Sequence, residues 1–166
     1  MSKAKKMVEW CLKKSERELK EGKRHRGLIK SEPNQKMALD HIKKAEHNLL
    51  VFLDNKKLGH YDWAINIGFY VMYHCCLSIL AKFGYESRNQ ECTLALVLNL
   101  IEEKKIDENF KIYLEKIITD DKSDSEVLPM REKTQYSPVL EIDVMKVNEL
   151  EKLSQEMLKE TKGIVI

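Results

Sequence analysis

His74, Cys75 and Cys76 stand in a row, an imidazole beside two thiols, the side-chain types that bind soft metal ions. Adjacent residues on a helix point about 100° apart, so these three cannot close a tetrahedral site without ligands from another segment. Packed core thiols beside one hydrogen-bonded histidine are the simpler reading, and neither a metal residue nor a cofactor is assigned. Rings crowd the same stretch at Tyr61, Trp63, Phe69, Tyr70, Tyr73 and Phe83. Such faces stack bases when cations stand beside them, and Lys82, Arg88 and Arg131 could supply the charge. A hydrophobic core accounts for most of the rings more economically, provided each tyrosine hydroxyl finds a partner. The sequence holds no Gly-x-x-x-x-Gly-Lys-Ser/Thr loop, no Gly-x-Gly-x-x-Gly and no His-Glu-x-x-His, so the common phosphate-cradling and zinc-protease chemistries are not indicated.

The elements that must position these groups are helices, since apolar residues recur with helical spacing and no stretch alternates convincingly with period two. Val8, Leu12, Ser15 and Leu19 share one face of a first helix that fades at Gly22, followed by a basic loop from Lys23 to Gly27. Ser31 and Pro33 signal a second helix, striped by Ala38, Ile42, Ala45, Leu49 and Phe52 and ending before Gly59. Asp62 is the expected N-cap of a third helix running to about Phe83, with Gly84 as its C′ residue. Trp63 to Ala81 carries no formal charge and approaches spanning length, but Asn66, Gly68, His74 and Ser78 interrupt it. It reads as the buried centre of a bundle rather than a membrane span, with apolar residues on all sides.

Ser87 to Gln90 has the Ser-x-x-Gln form of a capping box ahead of Leu94, Val97, Leu98 and Ile101, so a fourth helix should follow closely and pack antiparallel to the third. Phe110, Tyr113, Leu114, Ile117 and Ile118 form a fifth amphipathic segment, and Asp120 to Pro129 reads as a mobile loop. The last helix has Asp143 as cap, Ile142 and Val147 as a hydrophobic staple, Leu150, Leu153 and Met157 facing the core, and Gly163 beyond its end.

Composition agrees with that outline. Of 166 residues, 43% are apolar and 34% charged, with only 6 Gly and 3 Pro, which disfavours long disorder and a turn-rich sandwich and fits one all-α domain. No repeat or composition break suggests a second unit, so residues 1–166 read as a single helical domain, a basic N-terminal helix over 4–22 and a core over 34–162. The first thirty residues hold eleven Lys/Arg against four Asp/Glu, while the remainder is net acidic. Such a run is either a solvated helix face or a surface for an acidic or nucleic-acid partner. Cys11, Cys75, Cys76 and Cys92 form no Cys-x-x-Cys pair and follow no apolar leader, so they are expected as reduced thiols in a cytoplasmic protein.

The run from Tyr61 to Tyr85, YDWAINIGFYVMYHCCLSILAKFGY, resembles the central helix of prokaryotic HEPN domains. That pattern is an aromatic pair, Met, an aromatic-His step, small residues, then Leu-Leu-Ala and Gly-Tyr. Lys44 to Leu49 is similar to the family's second helix, and Arg131 to Tyr136 to its Arg-to-Gln-Tyr segment, so the likeness covers roughly residues 36 to 160. It implies an up-and-down bundle of about five helices, extended here to five or six around an apolar centre. It also implies frequent homodimers and pairing with a small nucleotidyltransferase in toxin–antitoxin or related RNA-processing modules. Many members are metal-independent ribonucleases in which four to six residues separate an Arg from a His. None of Arg17, Arg24, Arg26, Arg88 or Arg131 has a histidine at that distance. The loop after Gly-Tyr, which in this branch commonly ends in histidine, ends here in Gln90, and an amide cannot serve as a general base near pH 7.

The expectation is therefore a non-catalytic HEPN-like binding subunit for a nucleotide, RNA or a partner nucleotidyltransferase. Its candidate ligand-binding residues are Arg88, Asn89, Gln90, Arg131, Gln135 and Tyr136, with Tyr73 and His74. Two alternatives stand beside it. One is an atypical ribonuclease with His74 as base and Arg88 or Arg131 on the phosphate; the other is a helical adaptor with no small ligand.

Overall fold

A computed structural model describes residues 1–117, 127–138 and 140–166. Seven α-helices, one 3-10 turn and a two-stranded ribbon make up the described elements, an all-α bundle with slightly more pieces than the five or six expected. Helix α1 (Lys3–Lys20) opens on Ser2, whose hydroxyl accepts the Lys5 amide at 3.1 Å. It buries Val8, Cys11 and Ser15, whereas Leu19, expected on that face, is half exposed at its fraying end. Strand β1 (Leu28–Lys30) follows the basic loop, and α2 (Gln35–Lys57) starts at Asn34, whose side chain accepts the Met37 amide at 2.9 Å. Ser31 and Pro33 thus precede the true cap.

Helix α3 (Tyr61–Lys82) is long and apolar enough to cross a membrane by length and composition, yet most of its apolar window is buried inside the bundle. Its principal neighbours are α2 and α7 (Val144–Val165), with α6 (Val127–Tyr136) and α4 (Gln90–Glu102) beside them. Ile65, Phe69, Met72, Cys76, Ile79 and Leu80 are all buried, and each of the aliphatic, Met and Phe side chains stabilises the fold by about 1.5–3 kcal/mol. Trp63 and Tyr70, one helical repeat of seven apart, are the exceptions: they are 62% and 41% exposed, so the apolar surface does not close around the rod. The helix begins one residue after His60 and has no side-chain cap, which leaves Asp62 inside the first turn, where its charge favours the positive end of the dipole.

Gly84 adopts φ +78° at the C′ position, where an added Cβ would lie 2.6 Å from the Ser31 carbonyl oxygen. The chain then enters β2 (Tyr85–Ser87), antiparallel to β1 with Leu28 opposite Ser87 and Lys30 opposite Tyr85. Three-residue strands are too short to show period-two alternation, so the sequence gives no sign of this ribbon. The capping box is likewise replaced. Asn89 caps α4 by accepting the Cys92 amide at 3.0 Å, while Ser87 sits two residues earlier, in the strand.

The main partner of α4 is α1, and Cys11 and Cys92 join the two in a disulfide with their Cα atoms 5.9 Å apart. The expectation of four reduced thiols fails here, because spacing along the chain says nothing of two helices that only the fold brings together. Cys75 and Cys76 are free and buried, and burial pushes the Cys75 thiol up to about 12 and the Cys76 thiol well above its ordinary value.

A 3-10 turn (Glu108–Phe110) leads into α5 (Lys111–Ile117), which buries Tyr113, Leu114 and Ile117. Residues 120–126 of the expected loop lie outside the described residues, as does Ile118, but Val127 and Pro129 belong to α6, Pro at an early position where a missing amide costs nothing. Asp143 caps α7 as expected, accepting the Met145 amide at 2.9 Å, and Val147 of the staple is fully buried. Gly163 does not stop this helix, which continues to Val165.

Candidate ligand-binding groove

The residues singled out from the sequence fall into three groups. On α3, His74 is half-buried and its Nδ1 lies 3.0 Å from Nδ1 of His41 on α2, one nitrogen donating to the other. Burial lowers both histidines: His74 is brought down to about 4, helped by the His41 and Lys44 charges, and His41 shifts the same way. Both imidazoles are therefore neutral at pH 7. His41 escapes sequence reading because it adjoins Ile42 at the edge of the buried stripe, where a histidine reads as surface.

Tyr73 turns the other way. Its ring stacks on Phe69 with centroids 5.9 Å apart, and its hydroxyl lies 3.3 Å from the buried Thr93 hydroxyl. Thr93 in turn donates to Ser87 Oγ at 2.7 Å or the Asn89 carbonyl at 2.8 Å. Asn89 spends its side chain on the cap and Gln90 is half-buried in the first turn of α4, so both help fix the β2–α4 turn. What that turn presents outward is Arg88, whose guanidinium lies 3.3 Å from Glu86 Oε1.

Arg131, on α6, is placed elsewhere. Its guanidinium lies 4.4 Å from the Phe69 ring centroid and 5.6 Å from that of Tyr70, and its buried Nε has no hydrogen-bond partner. Cation–π contact over two rings offsets part of that desolvation. Gln135 and Tyr136 follow on the exposed side of α6, Tyr136 with 76% of its surface free.

Of the residues singled out from the sequence, Arg88 alone lines the groove. A cavity of about 260 Å³ lies between α2, α3 and the β2–α4 turn, with Arg88 and His41 among its walls and Met37, Leu77, Leu80 and Tyr85 giving an apolar side. His74 stands behind His41 through their shared hydrogen bond. Among the described residues no three His, Cys, Asp or Glu side chains gather as a metal site. An arginine, a neutral imidazole and an apolar wall can hold a phosphate, a polar sugar edge and a flat ring respectively.

A family model of the HEPN domain matches residues 38–165, and so takes in α3, the β2–α4 turn and both histidines. The chain belongs to the HEPN family. No curated protein matches it. In this HEPN chain α1, the basic loop and β1 precede the matched span, and the disulfide and the ribbon attach them to it. His41 and His74 lie inside the span, and their pairing crosses between helices, where no Arg-to-His spacing along the chain reaches.

Proposed function

We propose that this HEPN chain is a non-catalytic binding subunit whose groove between α2, α3 and the β2–α4 turn takes one nucleotide, free or as a unit of RNA. The observation that carries the reading is the convergence of Arg88, neutral His41 and the Leu77–Tyr85 apolar side on a single cavity. Its volume falls just under the roughly 300 Å³ at which ligand sites commonly begin, so it suits a mononucleotide unit rather than a larger cofactor. Arg88 would exchange Glu86 for a phosphate, gaining a bidentate partner.

Binding without cleavage follows from the histidines' chemistry. A general acid–base works best with a pKa near the operating pH, whereas His74 is held near 4 and its Nδ1 is engaged by His41. The ribonuclease alternative also needs His74 beside Arg88 or Arg131. Arg131 rests on Phe69 instead, and the histidines that line cavities with Arg88 are His41 and His25, not His74.

The partner expectations belong to the same reading: a homodimer, with a nucleotidyltransferase as a further subunit in a toxin–antitoxin setting. Exposed Trp63, Tyr70 and Tyr136 support a face that another protein covers. Calorimetric titration with adenosine 5′-monophosphate tests the groove. Saturable binding that Arg88→Ala weakens at least about tenfold is expected, the size of one charge-assisted contact. No heat with the wild-type chain overturns the reading, and 2′,3′-cyclic phosphate ends appearing on incubated RNA overturn its non-catalytic part.

A further inference from the structure

Ahead of the matched span, the loop between α1 and β1 is folded around one inward side chain. His25 is 3% exposed, its Nδ1 lies 3.4 Å from Ser15 Oγ, and its Nε2 is buried with no hydrogen-bond partner. Glu18 Oε2 accepts the Arg26 amide at 2.6 Å and pins the loop to α1. With His25 turned in, Lys23, Arg24 and Arg26 turn out, all exposed. They face Arg88 across an open cleft of about 800 Å³, whose remaining walls are Glu18 and His25. Lys23 is paired with Glu21 at 2.7 Å, but Arg24 and Arg26 have no ion-pair partner among the described residues.

One carboxylate oxygen, reaching from the groove side of Arg88, shows what two of the cleft's walls accept. Glu86 Oε1 lies 3.3 Å from Arg88 Nη2 and 3.6 Å from the otherwise unpartnered His25 Nε2. It occupies the place of an anionic oxygen between an arginine and a histidine. Among the described residues no Phe, Tyr, Trp or aliphatic side chain lines the cleft and its one ring, His25, is buried, so nothing there inserts into lipid or forms the apolar centre of a protein interface. Cations strung along an open surface match a chain of phosphates.

We propose that this cleft binds the phosphodiester backbone of a single-stranded nucleic acid, and that the Glu86 carboxylate is an internal stand-in displaced by the first phosphate. Arg88 joins the cleft to the groove, but Arg24 and Arg26 lie in the cleft alone, so the two sites fail separately.

The test is fluorescence anisotropy of the full chain with labelled oligouridylate and oligothymidylate of about ten nucleotides. Wild-type, Arg24→Ala/Arg26→Ala and Glu86→Gln proteins are compared at about 50 and 200 mM salt. The double variant, altered only at exposed positions, is expected to lose about tenfold or more in affinity at the lower salt, with the slope of log affinity against log salt falling by about 1.4 for two lost phosphate contacts. Glu86→Gln should tighten binding severalfold, and both oligomers should bind wild type within about threefold of each other, since phosphates and not bases are read. Wild-type affinity in the double variant, weaker binding by Glu86→Gln, or a strong preference for one oligomer overturns the proposal. So does binding of phosphatidylglycerol vesicles with no binding of either oligomer. Retention of adenosine 5′-monophosphate by the double variant shows that the groove stands whatever the outcome for the cleft.

Discussion

The amide of Arg88 donates to the carbonyl of Gly27 at 3.1 Å, continuing the ribbon ladder one step past Leu28 and Ser87. The arginine on which both proposed contacts depend is therefore held, through its backbone, by the last residue of the basic loop. Gly27 can do this because it lies against α1: an added Cβ would come within 2.4 Å of the Cys11 carbonyl oxygen and 2.6 Å of Ser15 Oγ.

Gly27→Ala should therefore push the loop off α1. Overpacking against backbone costs about 1–3 kcal/mol, and the urea midpoint should fall accordingly. An unchanged midpoint would show that α1 yields without strain.

Reduction should destabilise the chain. The Cys11–Cys92 bridge spans 81 residues of sequence, and the chain-entropy relation gives on the order of 4 kcal/mol for a loop of that size. Urea unfolding with and without a reductant measures the difference. A Cys11→Ser/Cys92→Ser protein should behave like the reduced form under both conditions.

Acidification should weaken the fold through the histidine pair. The folded chain holds His74 near 4, below the ordinary 6.5 of a free imidazole, and holds His41 low as well, so the unfolded chain binds more protons in between. Stability should be fully present above about pH 6.5 and decline as pH falls towards 4. His74→Gln should flatten that decline, measured as unfolding free energy against pH; an equally steep decline in the variant would assign it to other groups.

Arg131→Ala should lower stability by about 1–2 kcal/mol, the scale of a partly desolvated cation–π contact. Because Arg131 rests on Phe69 and Tyr70 outside the groove, adenosine 5′-monophosphate affinity should stay at the wild-type value. A lost affinity in a folded variant would return Arg131 to the ligand site.

The parts of the fold that sequence made legible are those governed by local periodicity. The buried stripe of α2 at Ala38, Ile42, Ala45 and Phe52, the apolar rod α3 with Gly84 behind it and the Asp143 cap of α7 depend on residues within a few turns of each other. What escaped is long-range or very short. The Cys11–Cys92 bond joins distant segments, the ribbon has three residues per strand, and the His41–His74 contact crosses between helices. Of the candidate residues, Arg88 was legible as an exposed arginine at a turn, but its sharing of a cavity with His41 and of a carboxylate with His25 was not. Nor could spacing separate Arg131 from Arg88, since both are cations near aromatic residues in the sequence.

The position of the bridge has a consequence for limited digestion. Lys23, Arg24 and Arg26, the preferred targets of trypsin, lie in an exposed loop between Cys11 and Cys92. A protease that nicks there severs the main chain without releasing the first helix, which stays tethered by sulfur until a thiol is added. Cleaved material should thus migrate as one species on a non-reducing gel and as two on a reducing one.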